Sequence, residues 1–288
     1  MPKVAIVTDS NSGITKEEAD RIGVCLVPMP FMIDGGTFFE GVNLTQEDFF
    51  SKQAAGSDIS TSQPSPESVM GVWDNVLRTF DQVVYIPMSS GLSGSCQSAR
   101  MLSEDYDGKV EVVNNQRISV TQKQSVLDAV MLATKGKSAA QIREILEKNK
   151  MESSIYIMLD TLYYLKKGGR ITPAAAALGT LLKLKPVLTI QGDKLDAFAK
   201  ARTVNHGKTI MKNAMKADME GRLGGCNPKN IHLYGAYSHN PVEAEAWHKE
   251  LEEFFPGFDI EMDPLSLSVS CHVGPGILAV ACSRRIKV

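Results

Sequence analysis

The chain has 288 residues, enough for one large or two ordinary domains, and 43% of them are apolar, enough to build real cores. Its 31 Lys and Arg are interspersed with 33 Asp and Glu for a formal net charge of −2, so no basic field invites nucleic acid. No apolar stretch reaches the roughly 20 residues needed to cross a bilayer, and the five cysteines lack a C-x-x-C pair, which points to a cytoplasmic protein with reduced thiols and no zinc or other metal site.

The N-terminal run Val4–Thr8 predicts a strand, and Thr15 with Glu18 three residues on predicts the start of a helix to Ile22. A polar cluster follows at Ser60-Thr61-Ser62-Gln63-Pro64-Ser65-Pro66, where the prolines favour an extended backbone before a helix from Glu67 to Phe80. Such Ser and Thr residues are usually caps, and the same groups can face a ligand. Val83–Ile86 reads as a strand that runs into Ser89-Ser90-Gly91-Leu92-Ser93-Gly94-Ser95 and then a helix from Cys96 to Tyr106. A Ser/Gly loop between strand and helix is suited to an anion: orphan backbone N–H groups, the positive end of the helix dipole and serine hydroxyls converge, and glycine admits close approach.

A strand at Val110–Val113 and helices at Ser119–Lys135 and Ser138–Asn149 complete the first half, with a boundary near Lys148 to Ser153. The second half opens with a strand at Ser154–Leu159. It continues into Leu165-Lys166-Lys167-Gly168-Gly169-Arg170-Ile171-Thr172-Pro173, in which Gly-Gly ends a short helix and leaves Arg170 on a tight connection. This is either a solvated basic turn or one that aims Arg170 at a carboxylate. Ala174 to Ala177 is a run of small residues. After a strand at Pro186–Ile190, Arg202 directly precedes a helix from Thr203 to Gly221, where a cation opposes the dipole and suggests a role other than helix stability. Strands at Ile231–Tyr237, Phe258–Met262 and Ile277–Cys282 and a helix at Pro241–Phe255 close the chain, and His272 stands on a Gly-Pro-Gly turn before the last strand. The alternation of strands and helices predicts an α/β protein of two α/β domains, 1–150 and 151–288, with largely parallel sheets.

Taken in order, Val7-Thr8-Asp9-Ser10, Thr61-Ser62-Gln63-Pro64, Ser89 to Ser95, Leu165 to Ile171, Lys185-Pro186, Arg202 and His272-Val273-Gly274-Pro275-Gly276 resemble the DegV family of bacterial fatty-acid-binding proteins over essentially the whole chain. The resemblance implies a carrier that encloses one long-chain fatty acid, its tail in an apolar tunnel near the domain junction and its carboxylate held by Thr61, Ser62, Ser93 and Gly94 with Arg170 and His272 around it. It also implies a separate fatty acid kinase as partner, which converts the carboxylate to an acyl-phosphate for phospholipid synthesis and docks at Arg202. On this reading the chain is not an enzyme, needs no cofactor beyond its bound lipid, and touches a membrane surface transiently while exchanging it. Phe31, Met32, Ala174 to Ala177, Ile277 and Leu278 are candidates for the tunnel wall. The competing reading is a serine hydrolase: Gly91-Leu92-Ser93-Gly94-Ser95 nearly fits the G-x-S-x-G nucleophile elbow, with His272 downstream as base. A phosphate- or nucleotide-binding protein is a third, weakened by the lack of a Walker or G-x-G-x-x-G pattern.

Overall fold

The computed structural model describes residues 2–170, 172–174, 184–192 and 194–287. They divide into two compact units, one holding the chain up to Lys150 with Ser266–Ser268, the other Met151–Leu265 and Val269–Lys287.

The first unit is built on four parallel strands, β1 (Val4–Asp9), β2 (Val24–Val27), β6 (Gln82–Ile86) and β7 (Val110–Val112), in the order β2-β1-β6-β7. The helices at Pro66–Val76 and Ser95–Ser103 start where their sequences allow. Ser65 accepts the Ser68 N–H ahead of a proline in the first turn, whereas Gly94 offers the second helix no side-chain cap. The core centres on Trp73, fully buried and edge-on to Tyr85 at 5.6 Å and to Tyr106 at 5.4 Å. The helix Ser119–Thr134 is buried on all sides over its first half, including the polar Gln122 and Gln124. A small antiparallel sheet, β4-β3-β5, is made of β3 (Pro30–Ile33), β4 (Gly36–Phe39) and β5 (Ile59–Thr61); it pairs Thr61 with Phe31 and so fixes where Thr61 lies.

The second unit departs from the expected parallel sheet. Its strands are β8 (Ser153–Met158), β9 (Lys185–Ile190), β10 (Leu195–Ala201), β11 (Ile231–Tyr237), β12 (Ile260–Pro264) and β13 (Leu278–Arg284), in the order β10-β9-β8-β13-β11-β12. Four of the five pairings are antiparallel, and β11 with β12 is the parallel one. The physical reason is local. The short connection after Ile190 leaves no room for a crossover, so β10 folds back on β9 as a hairpin, and β13 enters between β8 and β11 against both. Helix Val204–Gly221 buries Met211, Met215 and Met219, spaced four apart on one face, and helix Pro241–Phe254 adds Trp247 and Leu251. The Trp247 indole N–H donates to the Ala279 carbonyl at 2.9 Å, so its burial leaves no polar cost. No described helix is long and apolar enough to cross a membrane.

Candidate functional site

In the first sheet, the connection after β1 leads to one side and β6 lies on the other. The carboxyl ends of β1 and β6 are therefore a topological switch point, where the two loops diverge and open α/β sheets bind ligands. The loop after β6 is the Ser/Gly segment. Its serines are already engaged as acceptors: Ser89 Oγ takes the Gly91 N–H at 3.2 Å, Ser90 Oγ the Asn114 side-chain amide at 2.8 Å, and Ser93 Oγ the Ser95 N–H at 3.2 Å. A hydroxyl that accepts keeps its own O–H to donate, so Ser93 remains a donor at the start of a helix without a side-chain cap. Ser95 Oγ is buried and has no partner among the described residues.

The Thr61-Ser62-Gln63-Pro64 segment meets this loop through Gln63. Its Oε1 accepts from Ser98 Oγ at 3.3 Å and lies 3.3 Å from where a side chain at Gly94 would begin. Thr61 is half-buried at the end of β5, and Ser62 is exposed, its N–H donating to Pro30 at 3.3 Å. Gln63 was not among the expected ligands; its place within the motif is the only signal that marked it.

The second unit brings together Arg170 and His272. The short helix Tyr163–Gly168 closes on Gly169, whose φ of 67° needs glycine, with the Arg170 N–H returning to the Leu165 carbonyl. The imidazole of His272 lies against Gly168 so closely that a Cβ there would stand 2.2 Å from Nδ1. Contrary to the expected loop, His272 occupies the last turn of a helix, Leu267–Val273, that the serine-rich sequence concealed. Burial, and then the Arg170 charge, push its pKa down to about 4, so the ring is neutral at physiological pH. Arg170 itself is exposed, with its guanidinium folded back on the Gly168 carbonyl at 2.5 Å, so it does not point into the interior as the sharper expectation had it. Burial also raises the neighbouring Cys271 thiol to about 11, which keeps it unreactive.

Arg202 is exposed beside Thr203, which caps helix Val204–Gly221 by accepting the His206 N–H at 3.2 Å; no acidic residue occupies that helix's first turn. Among the wall candidates, Phe31, Ile277 and Leu278 are buried and Met32 is exposed, while Ala175 to Ala177, like Ile171, lie outside the described residues. Two observations weigh against a nucleophilic serine. Ser93 is not among the described residues with positive φ, so it lacks the strained backbone of a nucleophile elbow, and a histidine titrating near 4 is a weak base. Among the described residues, no group of three His, Cys, Asp or Glu could hold a metal ion.

With this geometry in place, the relatives are informative. The family model described as "Uncharacterised protein, DegV family" matches residues 3–285. A DegV domain-containing protein of Deinococcus radiodurans is 36% identical over 279 residues, covering 96% of this chain and 97% of the relative. A DegV family protein from Thermus thermophilus, described for its fatty acid binding, superposes with a TM-score of 0.89 at 31% identity, covering 99% of this chain and 100% of the other. A stearic-acid-binding protein from Eubacterium ventriosum gives 0.86 at 26% identity, with 99% and 98% covered. The chain belongs to the DegV family.

Proposed function

We propose that this protein binds one long-chain fatty acid and presents its carboxylate to a separate kinase. The observation that carries the reading is the serine loop: a helix start whose N-cap residue, Gly94, has no side chain, with the Ser93 hydroxyl left to donate at the switch point of the first sheet, in a chain similar to fatty-acid-binding DegV proteins. Thr61, Ser62, Ser93 and Gly94 hydrogen-bond the carboxylate, and Arg170 and His272 are the second unit's own candidate pair for a headgroup. A buried carboxylate needs several donors, and the hydroxyl and backbone N–H groups of Thr61, Ser62, Ser93 and Gly94 supply them in this reading. The acyl tail supplies most of the affinity: at about 0.8 kcal/mol per buried methylene, a sixteen-carbon chain gains on the order of 10 kcal/mol. The headgroup contacts fix orientation.

In this reading the protein works in the cytoplasm as a carrier, and the chemistry, formation of an acyl-phosphate for phospholipid synthesis, belongs to the kinase, which docks at Arg202. An exposed guanidinium at a helix start gains nothing from the helix, which supports a role for it in recognition. Transient contact with a membrane surface accompanies exchange of the lipid.

Native mass spectrometry of protein purified from cells tests the first claim, with one fatty acid per chain as the expected adduct. Arg202→Ala is expected to keep the lipid and lose phosphorylation; parallel losses of both would refute the docking role. Stoichiometric labelling of Ser93 by an activated-serine probe, abolished in His272→Ala, would replace the carrier with a hydrolase.

A further inference from the structure

The Val7-Thr8-Asp9-Ser10 segment carries no part in the ligand reading above, yet it holds a fully buried carboxyl at the switch point. Asp9 Oδ1 accepts the Asn11 N–H at 3.1 Å and the Gln122 side-chain amide at 3.0 Å, while Oδ2 accepts the Met88 N–H at 3.0 Å. Both oxygens are therefore acceptors only. Met88 is the residue that leads from β6 into the serine loop. The same Gln122 amide also reaches Thr8 Oγ1 at 3.2 Å and the Ile86 carbonyl at 3.1 Å, and Thr8 Oγ1 donates to Ile86 at 2.7 Å. Thr8 and Gln122 thus hold the Ile86 carbonyl at the end of β6, and Asp9 holds the Met88 N–H just before the loop.

We propose that Asp9 is a positioning residue for the carboxylate-binding loop: by holding the Met88 N–H it sets the path of the segment that carries Ser93 and Gly94. Among the described residues no cation pairs with this carboxyl. Burial works against its charge and pushes its pKa up, and only neutral donors oppose that. An amide in its place has one oxygen where the structure uses two, so it must turn an N–H₂ group toward either Met88 or the Asn11–Gln122 pair. The inference rests on Ser93 binding a fatty acid carboxylate.

The test is a displacement titration of a fluorescent long-chain fatty acid by oleic acid on the full chain, with amide NMR spectra of the same samples. Asp9→Asn is expected to fold, to bind about tenfold more weakly, as loss of one hydrogen bond to a charged group implies, and to shift the Ser93 and Gly94 amide signals with faster exchange at Met88. A merely structural role would lower the melting temperature and leave those signals and the affinity of the folded protein unchanged, which would overturn the proposal. Ser93→Ala is run in parallel: if it binds normally, the headgroup reading fails, and the positioning role with it. Should Asp9→Asn not fold, Gln122→Met leaves the carboxyl but removes one of its donors. A loss of about threefold is then expected, and wild-type affinity would overturn the proposal.

Discussion

The two units hold their candidate site residues in opposite ways. In the first, Ser93 and Gly94 lie on a loop fixed by hydrogen bonds that converge from distant parts of the chain, and the nearest obstacle to added bulk at Gly94 is the tip of a flexible side chain, Gln63 Oε1 at 3.3 Å. In the second, His272 and its neighbours are wedged by direct backbone-to-ring contact: a Cβ on Gly168 would meet the His272 ring at 2.2 Å, and one on Gly274 the Tyr164 ring at 2.4 Å. Polar positioning tolerates small displacements and fails when a donor or acceptor is removed. Close packing fails when a single methyl is added.

The largest effect should come from packing. Gly274 has a φ of 83° as well as the Tyr164 contact, so Gly274→Ala incurs both backbone strain and overpacking, together about 3 kcal/mol. A calorimetric scan should show a clear fall in melting temperature, and an unchanged one would mean that the Tyr164 ring yields freely. Next in size is a pair of opposed pH effects. His272 titrates near 4 in the fold against an ordinary 6.5, so the folded chain binds fewer protons than the unfolded between those values. The stability it contributes is present above 6.5 and lost as pH falls toward 4, on the order of 3 kcal/mol in full. Glu40 does the reverse. Burial raises its carboxyl to about 7 from 4.5, against the lowering effect of the Leu267 N–H, which it accepts at 2.9 Å. The folded chain then binds more protons, and stability falls as pH rises from 4.5 to 7. The two slopes oppose each other between 4.5 and 6.5. Glu40→Gln should therefore give a melting temperature that climbs with pH across that window, and His272→Gln one that declines; identical profiles for both variants would contradict the assignment.

A smaller shift concerns Arg170. Its charge is the second cause, after burial, of the low His272 titration, so Arg170→Gln should raise the His272 midpoint without restoring it to 6.5, as read from the ring proton signals. A midpoint that does not move would separate the two residues and weaken their joint role at a headgroup.

The sequence made the long elements and the chemistry-bearing motifs legible because both are written in consecutive residues. The helix expected at Ser138–Asn149 starts in the structure with a full capping box of Ser138 and Gln141, and the Ser89–Ser95 run announced the strand–loop–helix turn. What escaped was non-local or short. β3 and β4 are short and open on Pro30 and Gly36, residues that weaken a strand pattern, and their pairing with each other and with β5 makes them strands. β10 alternates regularly in burial, but its inner face after Leu195 is Ala197, Ala199 and Ala201, a poor strand signal in sequence, so the hairpin that turns the second sheet antiparallel stayed concealed. Helix Gln46–Ala54 has a legible cap in Thr45, which accepts the Asp48 N–H, but little apolar periodicity to go with it. Helix Leu267–Val273 had none, since the group that accepts its first N–H is Glu40, more than two hundred residues away. Gln122 is equally silent in sequence: a glutamine inside a helix announces nothing until the fold sets it 3.0 Å from Asp9.

The finest test of the contrast is Gly94→Ala. Gly94 has a φ of −70°, which any residue adopts, so the substitution brings no backbone strain, and among the described residues the only close neighbour of the new methyl is Gln63 Oε1. That amide can withdraw by a few tenths of an ångström by turning about its own side-chain bonds. Stability should change by no more than about 0.5 kcal/mol, as for most substitutions away from packed features. The same methyl stands where a lipid carboxylate is proposed to approach the helix start, so affinity for a fatty acid should fall by about threefold at constant melting temperature, a loss of well under the 1.4 kcal/mol that a tenfold change represents. A fall in melting temperature comparable with that of Gly274→Ala would show that the serine loop is as tightly packed as the His272 corner. Affinity equal to wild type would move the carboxylate away from Gly94 and leave the hydroxyl of Ser93 to be judged alone.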